Sequence, residues 1–534
     1  APLTRRFEMA RMIVEEFRPG LPPLRALEMA DALGGFLDSC QLEEIEDPGR
    51  VATLVEGDLA EHWQESARFL ALAVEAWPKR LAALGLVDPA WRRARLLRVL
   101  AGAWGGRPPQ QPVIAGGSAG APPPPAAGPA GGGGRLLGVA AEARREPPPQ
   151  QPPIAAGSTG CAPAAADVLA AVAAAPQGCV VLPGLDRELD PAVWAKLGDN
   201  EQHPQNALWR LLNRHGVPRE AVRPWFSPEE PPAAAQRGRA RQRLLNEALR
   251  PAEATDDWRG VIGGLRAAAF RERSADPIAE GLEGLSVVTV RAEEDAAATL
   301  ALMMRETLET PGKTCALVTP DLALGRRVAA RLERWGVVAD SSSGQPLSRM
   351  PAGRLVDLAA RFVADPLDPH VLLGLIKHPL VRLDLGEVDV RTAVRALEEH
   401  ALRGPRKRDW AGARRALMKA AAPRDDGTPR SEGTRDRVAA AKALLDRLEG
   451  LAEVARAPFA ETAHPDAAAR TLTALVEALA GQAVWAGPDG EAAAALLAGL
   501  IEGGGALPEV TRRDFAQLVR VLLGEQTVRT GGAN

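Results

Sequence analysis

Leu285-Ser-Val-Val-Thr-Val290, Thr314-Cys-Ala-Leu-Val-Thr319 and Gly336-Val-Val-Ala-Asp340 punctuate the 285–347 stretch, and the segments between them carry a helical period. Short β-branched runs of this kind read as buried strands. After the first, Ala296, Leu300, Met304 and Leu308 recur every four residues. Glu293, Glu294 and Asp295 stand in the first turn, where acids are favourable, and Thr310-Pro-Gly312 ends the helix. After the second run, Leu324, Val328, Leu332 and Trp335 stripe one face, with Thr319 as the expected N-cap and Pro320 at the first helical position. Ser341-Ser-Ser-Gly344 closes the third run. The alternation predicts right-handed βαβ units and an α/β fold with a parallel sheet. Ligands of such a sheet sit at the carboxyl ends of its strands, here near Thr319–Asp321 and Asp340–Gly344.

Outward from this stretch, the chain is too long, at 534 residues, for a single core, and three or four domains are expected. Its apolar fraction of 46% and charged fraction of 25% match a globular protein. A net charge of −3 argues against wholesale nonspecific nucleic-acid binding but permits a local basic patch. Tyrosine is absent and Ala, Gly, Pro and Arg abound, a GC-rich coding bias that leaves the core to Leu, Ala and Val. Cys40, Cys161, Cys179 and Cys315 lie far apart without a CxxC, as in reduced residues of a cytoplasmic protein. No apolar run has the length of a membrane span and no signal peptide opens the chain, so no membrane partner is expected. Both ends read as cut from something longer.

Residues 1–104 carry helical stripes only: Ala26, Met29, Ala30, Leu33 and Leu37; then Asp58–Trp77; then Pro89–Trp104. Glu61-His-Trp-Gln64 reads as a packed tryptophan beside a surface histidine. Residues 105–150 are Pro- and Gly-rich and are expected to be disordered. Gln110–Gly120 returns as Gln150–Gly160, a local duplication whose second copy alone continues into structure. That copy leads from strand Pro153–Ala156 through the turn Gly157-Ser158-Thr159-Gly160 into helix Ala164–Ala175, strand Cys179–Pro183 and Gly184-Leu-Asp186. Arg237–Leu249 reads as a basic helix, and 353–534 as helices at Val371–Ile376, Val388–Leu402, Arg435–Val454, Ala467–Ala480 and Asp514–Leu523.

Few motifs carry chemistry. Gly312-Lys313-Thr314 ends like a phosphate-binding loop, but Thr307 occupies the place of the leading glycine and a strand follows rather than a helix. It reads as a helix-ending turn. The Gly157–Gly160 turn joins strand to helix and could hold an anion, but it lacks a lysine. Asp186 could bind a cation or cap a turn. Lys377-His378 could meet a phosphate or merely end a helix. The strongest charge feature is Leu402-Arg403-Gly-Pro-Arg406-Lys407-Arg408-Asp-Trp410 with Arg414 and Arg415, which could grip a phosphodiester backbone or form a solvated loop. No metal-ligand spacing and no nucleophile elbow occurs.

Several strings in order resemble the AddB subunit of the bacterial AddAB helicase–nuclease. They are Asp58-Leu-Ala-Glu-His-Trp63, Ile154-Ala-Ala-Gly-Ser-Thr-Gly160, Val180-Val-Leu-Pro-Gly-Leu-Asp186, His203-Pro-Gln205, Leu249-Arg-Pro251, Thr310–Asp321, Lys377-His-Pro-Leu380 and Leu402-Arg-Gly-Pro405. The resemblance implies superfamily 1 helicase-like, RecA-type parallel sheets with large all-helical insertions. It divides the chain into a helical insertion at 1–104, the low-complexity 105–150, a first RecA-like domain completed by 151–284, a second at 285–370, and a helical domain at 371–534. It further implies a disabled motor, with Gly157-Ser158 where the Mg²⁺-binding and base carboxylates would stand. The family's Mg²⁺ and 4Fe–4S cluster belong to a nuclease domain that would follow Asn534, and its ATP to the AddA partner, so no cofactor is expected on this chain. The implied function is cytoplasmic double-strand-break repair, in which a noncatalytic core binds DNA beside an AddA-type helicase–nuclease. Alternatives from other classes are a self-standing ATP-dependent motor and a small-substrate α/β enzyme.

Overall fold

The computed structural model describes residues 2–46, 50, 60–106, 153–225, 233–251, 257–383, 389–425 and 427–529. They are mostly helical, and the strands among them form three two-stranded ladders. The low-complexity segment, from 107 to 150, and the side chains of His62 and Trp63 lie outside the described residues. The chain divides into two compact units, one of residues 36–54 and 78–288, the other of 1–35, 55–77 and 289–534.

The first unit holds a parallel strand pair. Ile154–Ala156 runs beside Cys179–Val181, with Ile154 opposite Cys179 and Ala156 opposite Val181. Helix Pro163–Ala174 is the crossover, with proline at its start and an apolar face of Ala166, Leu169 and Val172. That face packs with Ala155, Trp104 and Leu211 in one core. On its polar side Asp167 accepts hydrogen bonds from Arg98 and from Arg214 Nε (2.9 Å), while Arg98 Nε also donates to Glu44 (2.7 Å). These bonds tie helices Pro89–Gly106 and Asn206–Arg214 to the crossover.

The decisive 285–347 stretch, which lies in the second unit from Thr289 on, departs from expectation. Helices Glu293–Leu308 and Leu322–Glu333 form and pack through Ala297, Ala301, Val328 and Leu332. The N-cap of the latter is Asp321, accepting from Ala323 N at 2.7 Å, rather than Thr319, whose hydroxyl accepts from Asp321 N. The three predicted strands, however, join no ladder: residues 286–290, 314–319 and 337–340 pair with nothing among the described residues. The parallel sheet expected here is therefore absent from the structure. Burial still alternates, with Cys315, Leu317 and Thr319 half-buried beneath the two helices and Ala316 and Val318 exposed. Alternation in sequence records which side a residue faces, whereas a ladder needs a neighbouring backbone in register.

The rest of this unit is a helical assembly around Pro351–Ala364, which buries Leu355, Val356, Phe362 and Val363 against helices Pro465–Ala480, Gly487–Gly503 and Arg512–Glu525. Its second position after the start is crowded: a Cβ on Gly353 would stand 2.0 Å from the Leu347 carbonyl oxygen. Val390–Leu397 and Trp410–Ala421 pack on the long helix Glu432–Arg456. Near the start of the chain, helix Pro2–Met12 sets Leu3 and the buried Phe7 against Gly499 and Gly503, where a Cβ would come within 2.8 and 2.9 Å of them. Arg6 Nη2 anchors the same helix to Glu525 (3.1 Å). Gln345–Pro346 pairs antiparallel with Thr527–Val528, and Thr462–Ala463 with Val510–Thr511.

Candidate functional site

The turn at the carboxyl end of Ile154–Ala156 is held by its own atoms. Gly157 and Gly160 have φ of +78° and +62°, conformations that a side chain disfavours. A Cβ on Gly160 would also lie 2.8 Å from Leu211 Cδ1, so this glycine lets the turn seat on the Asn206–Arg214 helix. Ser158 Oγ accepts from Gly160 N (3.3 Å), and the Thr159 hydroxyl lies 2.7 Å from Cys161 Sγ. No lysine enters the turn. Asp186, 2% exposed, accepts from the backbone N–H groups of Glu188 (2.8 Å) and Leu189 (2.9 Å). It is a turn anchor, and its carboxylate is already engaged by donors where the cation reading needed it free. Gln205 braces the same turn, donating to the Gly184 carbonyl and accepting from Asp186 N, both at 2.9 Å. Arg219 stacks 4.9 Å above the Trp194 ring and donates to the Leu189 carbonyl (2.8 Å). Neither Arg219 nor Trp194 gave a sequence signal, because they meet only in the fold.

The Gly312-Lys313-Thr314 turn follows a helix that ends at Leu308, and Lys313 N donates back to the Thr310 carbonyl (3.2 Å). The next helix along the chain begins only at Leu322, so the turn does not lead into a helix N-terminus as a phosphate loop does.

The basic stretch 402–415 is more neutralised than its sequence suggests. Arg403 (3.3 Å) and Lys377 (2.6 Å) share Glu398. Arg406 pairs with Asp365, and Arg414 with Asp446 (2.8 Å) and Glu449. Asp409 caps the Trp410–Ala421 helix through Gly412 N and lies 3.9 Å from Arg415. Lys407 reaches only the Pro405 carbonyl (3.2 Å), and among the described residues Arg408 meets no carboxylate. Burial and Arg354 push the His378 imidazole below its usual pKa, so it is neutral at pH 7 and lends no cation to a phosphate. Its Nδ1 accepts from Leu380 N (3.3 Å). Side-chain hydrogen bonds from Lys377 and Arg403 hold the Glu398 carboxyl below its ordinary value, and it is ionised at neutral pH. Of the eight predicted contacts, Lys407 and Arg408 thus remain available to an anion and the exposed Arg415 is held only by a 3.9 Å pair with Asp409, while Lys377, Arg403, Arg406 and Arg414 are engaged more closely within the fold.

Among the described residues no group of His, Cys, Asp and Glu could hold a metal ion, and no helix is long and apolar enough to cross a membrane. Comparison with protein-family models and with curated proteins finds no match to this chain.

Proposed function

We propose that the chain is a noncatalytic, helicase-like DNA-binding component of a double-strand-break repair enzyme, working beside an AddA-type helicase–nuclease. The observation that carries this reading is the parallel pair Ile154–Ala156 and Cys179–Val181, with its crossover helix and, where the resemblance puts a motor's carboxylates, the turn Gly157-Ser158-Thr159-Gly160, which has neither carboxylate nor lysine. A motor needs a phosphate cradle, a Mg²⁺ ligand and a group that positions water. A DNA-binding relic of one needs only the scaffold and some cations. The RecA-type reading of both 151–284 and 285–370 belongs to this proposal. Lys407, Arg408 and Arg415 are the cations it assigns to DNA phosphates.

The experiment is binding and turnover on one preparation of the purified chain. Blunt duplex DNA is expected to bind at low salt, with an affinity that falls as salt rises, and ATP with Mg²⁺ is expected to release no phosphate above the buffer blank. Turnover abolished by Lys313→Ala would mean a working motor. Absence of DNA binding at low salt would sink the proposal.

A further inference from the structure

Arg456 is a half-buried arginine of the helical unit with no ion pair of its own among the described residues. It ends the Glu432–Arg456 helix, and its Nε is sealed from solvent with no hydrogen-bond partner. The carboxylate whose field it feels, Asp365, is already taken by Arg406. Its other charged neighbour is an arginine, Arg512, which opens the Arg512–Glu525 helix and makes no ion pair among the described residues. The two are framed rigidly. Phe459 N donates to the Arg456 carbonyl (3.0 Å), and the Phe459 ring packs on Phe515, one turn beyond Arg512, at 6.0 Å between centroids. The Thr462–Ala463 and Val510–Thr511 ladder closes the frame on the other side.

Burial, and then Arg512, hold the Arg456 guanidinium below its ordinary pKa, yet an arginine does not escape by losing its proton. A half-buried cation facing a like charge is unfavourable unless an anion joins it. We propose that Arg456 and Arg512 together form an oxyanion site that takes one phosphate group, as a DNA backbone phosphate or as the free ion. Two guanidinium forks present more donors than one carboxylate could accept and match the several oxygens of a phosphate. The DNA form of this proposal rests on the function proposed above; the free-phosphate form does not.

Melting of the full chain in sodium phosphate and in sodium chloride at matched ionic strength reads the site directly. Phosphate is expected to raise the Tm of the unsubstituted chain, and Arg456→Met or Arg512→Met to remove that rise. In chloride, Arg456→Met should melt no lower than the parent, because it removes a half-buried charge that has no ion pair and faces a like charge. Should Arg456→Met fail to fold, Arg512→Met carries the same readout. With duplex DNA as probe, either variant should lower the slope of log K against log salt by about 0.9, the loss of one phosphate contact. An equal phosphate rise in parent and variants, or no rise together with an unchanged slope, overturns the site. A phosphate rise lost in the variants of a chain that binds no DNA supports the site for free phosphate and removes the DNA reading. DNA binding with neither effect removes the site alone.

Discussion

Arg414 illustrates how much of a candidate site is decided by residues far along the chain. In sequence it belongs with Arg415 to the cations after the Gly-Pro turn, but in the fold it ties the Trp410–Ala421 helix to Asp446 and Glu449 on the long helix behind it. Asp365 and Glu398 silence Arg406, Arg403 and Lys377 in the same way. The presence of a basic patch was legible. Which of its charges are free was not, because for Arg406 and Arg414 the counter-ion lies 32 to 41 residues away and leaves no local mark. Two variants separate the roles. Lys407→Ala with Arg408→Ala is expected to weaken DNA binding evenly across sequences and to reduce its salt slope, with no change in urea midpoint. Arg414→Ala should keep the slope and lower stability by roughly 0.2–1 kcal/mol, the scale of a partly exposed ion pair. A flattened slope in Arg414→Ala at unchanged stability would place that side chain on DNA.

At the scale of elements, the helices and the strand pair at 154–156 and 179–181 were readable, and the three runs of 285–347 were not. An amphipathic helix satisfies its backbone within itself, so Leu324, Val328 and Leu332 suffice to announce one. Even there the fully buried residues of Glu293–Leu308 are Ala297 and Ala301, with the expected Leu300 and Met304 half-buried against the same core and Leu308 exposed. Thr314–Thr319 has the composition and one-sided burial of a strand, yet its partner is not in its own sequence, and no ladder forms. The contrast with Ile154–Ala156 is instructive: that run meets Cys179–Val181 across a crossover helix that packs well enough to hold the register. Hydrogen exchange tests the difference. The amides of residues 315–319 are expected to exchange at near-unprotected rates, while those in the middle of Glu293–Leu308 are slowed by helical bonding. Equal protection in the two segments would mean that the run is paired after all.

For the molecule as a whole, three histidines set a common pH response. His203 and His378 are pushed below their usual pKa of 6.5 chiefly by burial. His215 is lowered by burial and by Arg214, because the Asp167 carboxylate 3.6 Å away is already shared by two arginines. Each is neutral when folded and takes up a proton more readily when unfolded. The unfolded state therefore binds more protons between the depressed folded values and pH 6.5, and stability rises with pH through that window. The carboxylates with lowered values, such as Glu398 and Asp368, act only below about pH 5 and leave the interval to the histidines. The urea midpoint is expected to be lower at pH 5.5 than at pH 7.5, and to level off above pH 7. A midpoint that does not change between those two values would mean that the histidines are solvated in the folded chain.

The helix Pro2–Met12, seated on Gly499 and Gly503, also bears on the order in which the chain is made. A ribosome adds about 5–20 residues per second, so Phe7 leaves the exit tunnel about 25–100 s before the surface that buries it has been synthesised. During that interval Phe7, buried in the finished protein, lacks the seat that Gly503 provides. A segment translated well ahead of its seat is thus among the last of the described residues that can dock, and until then its apolar face is open to a chaperone.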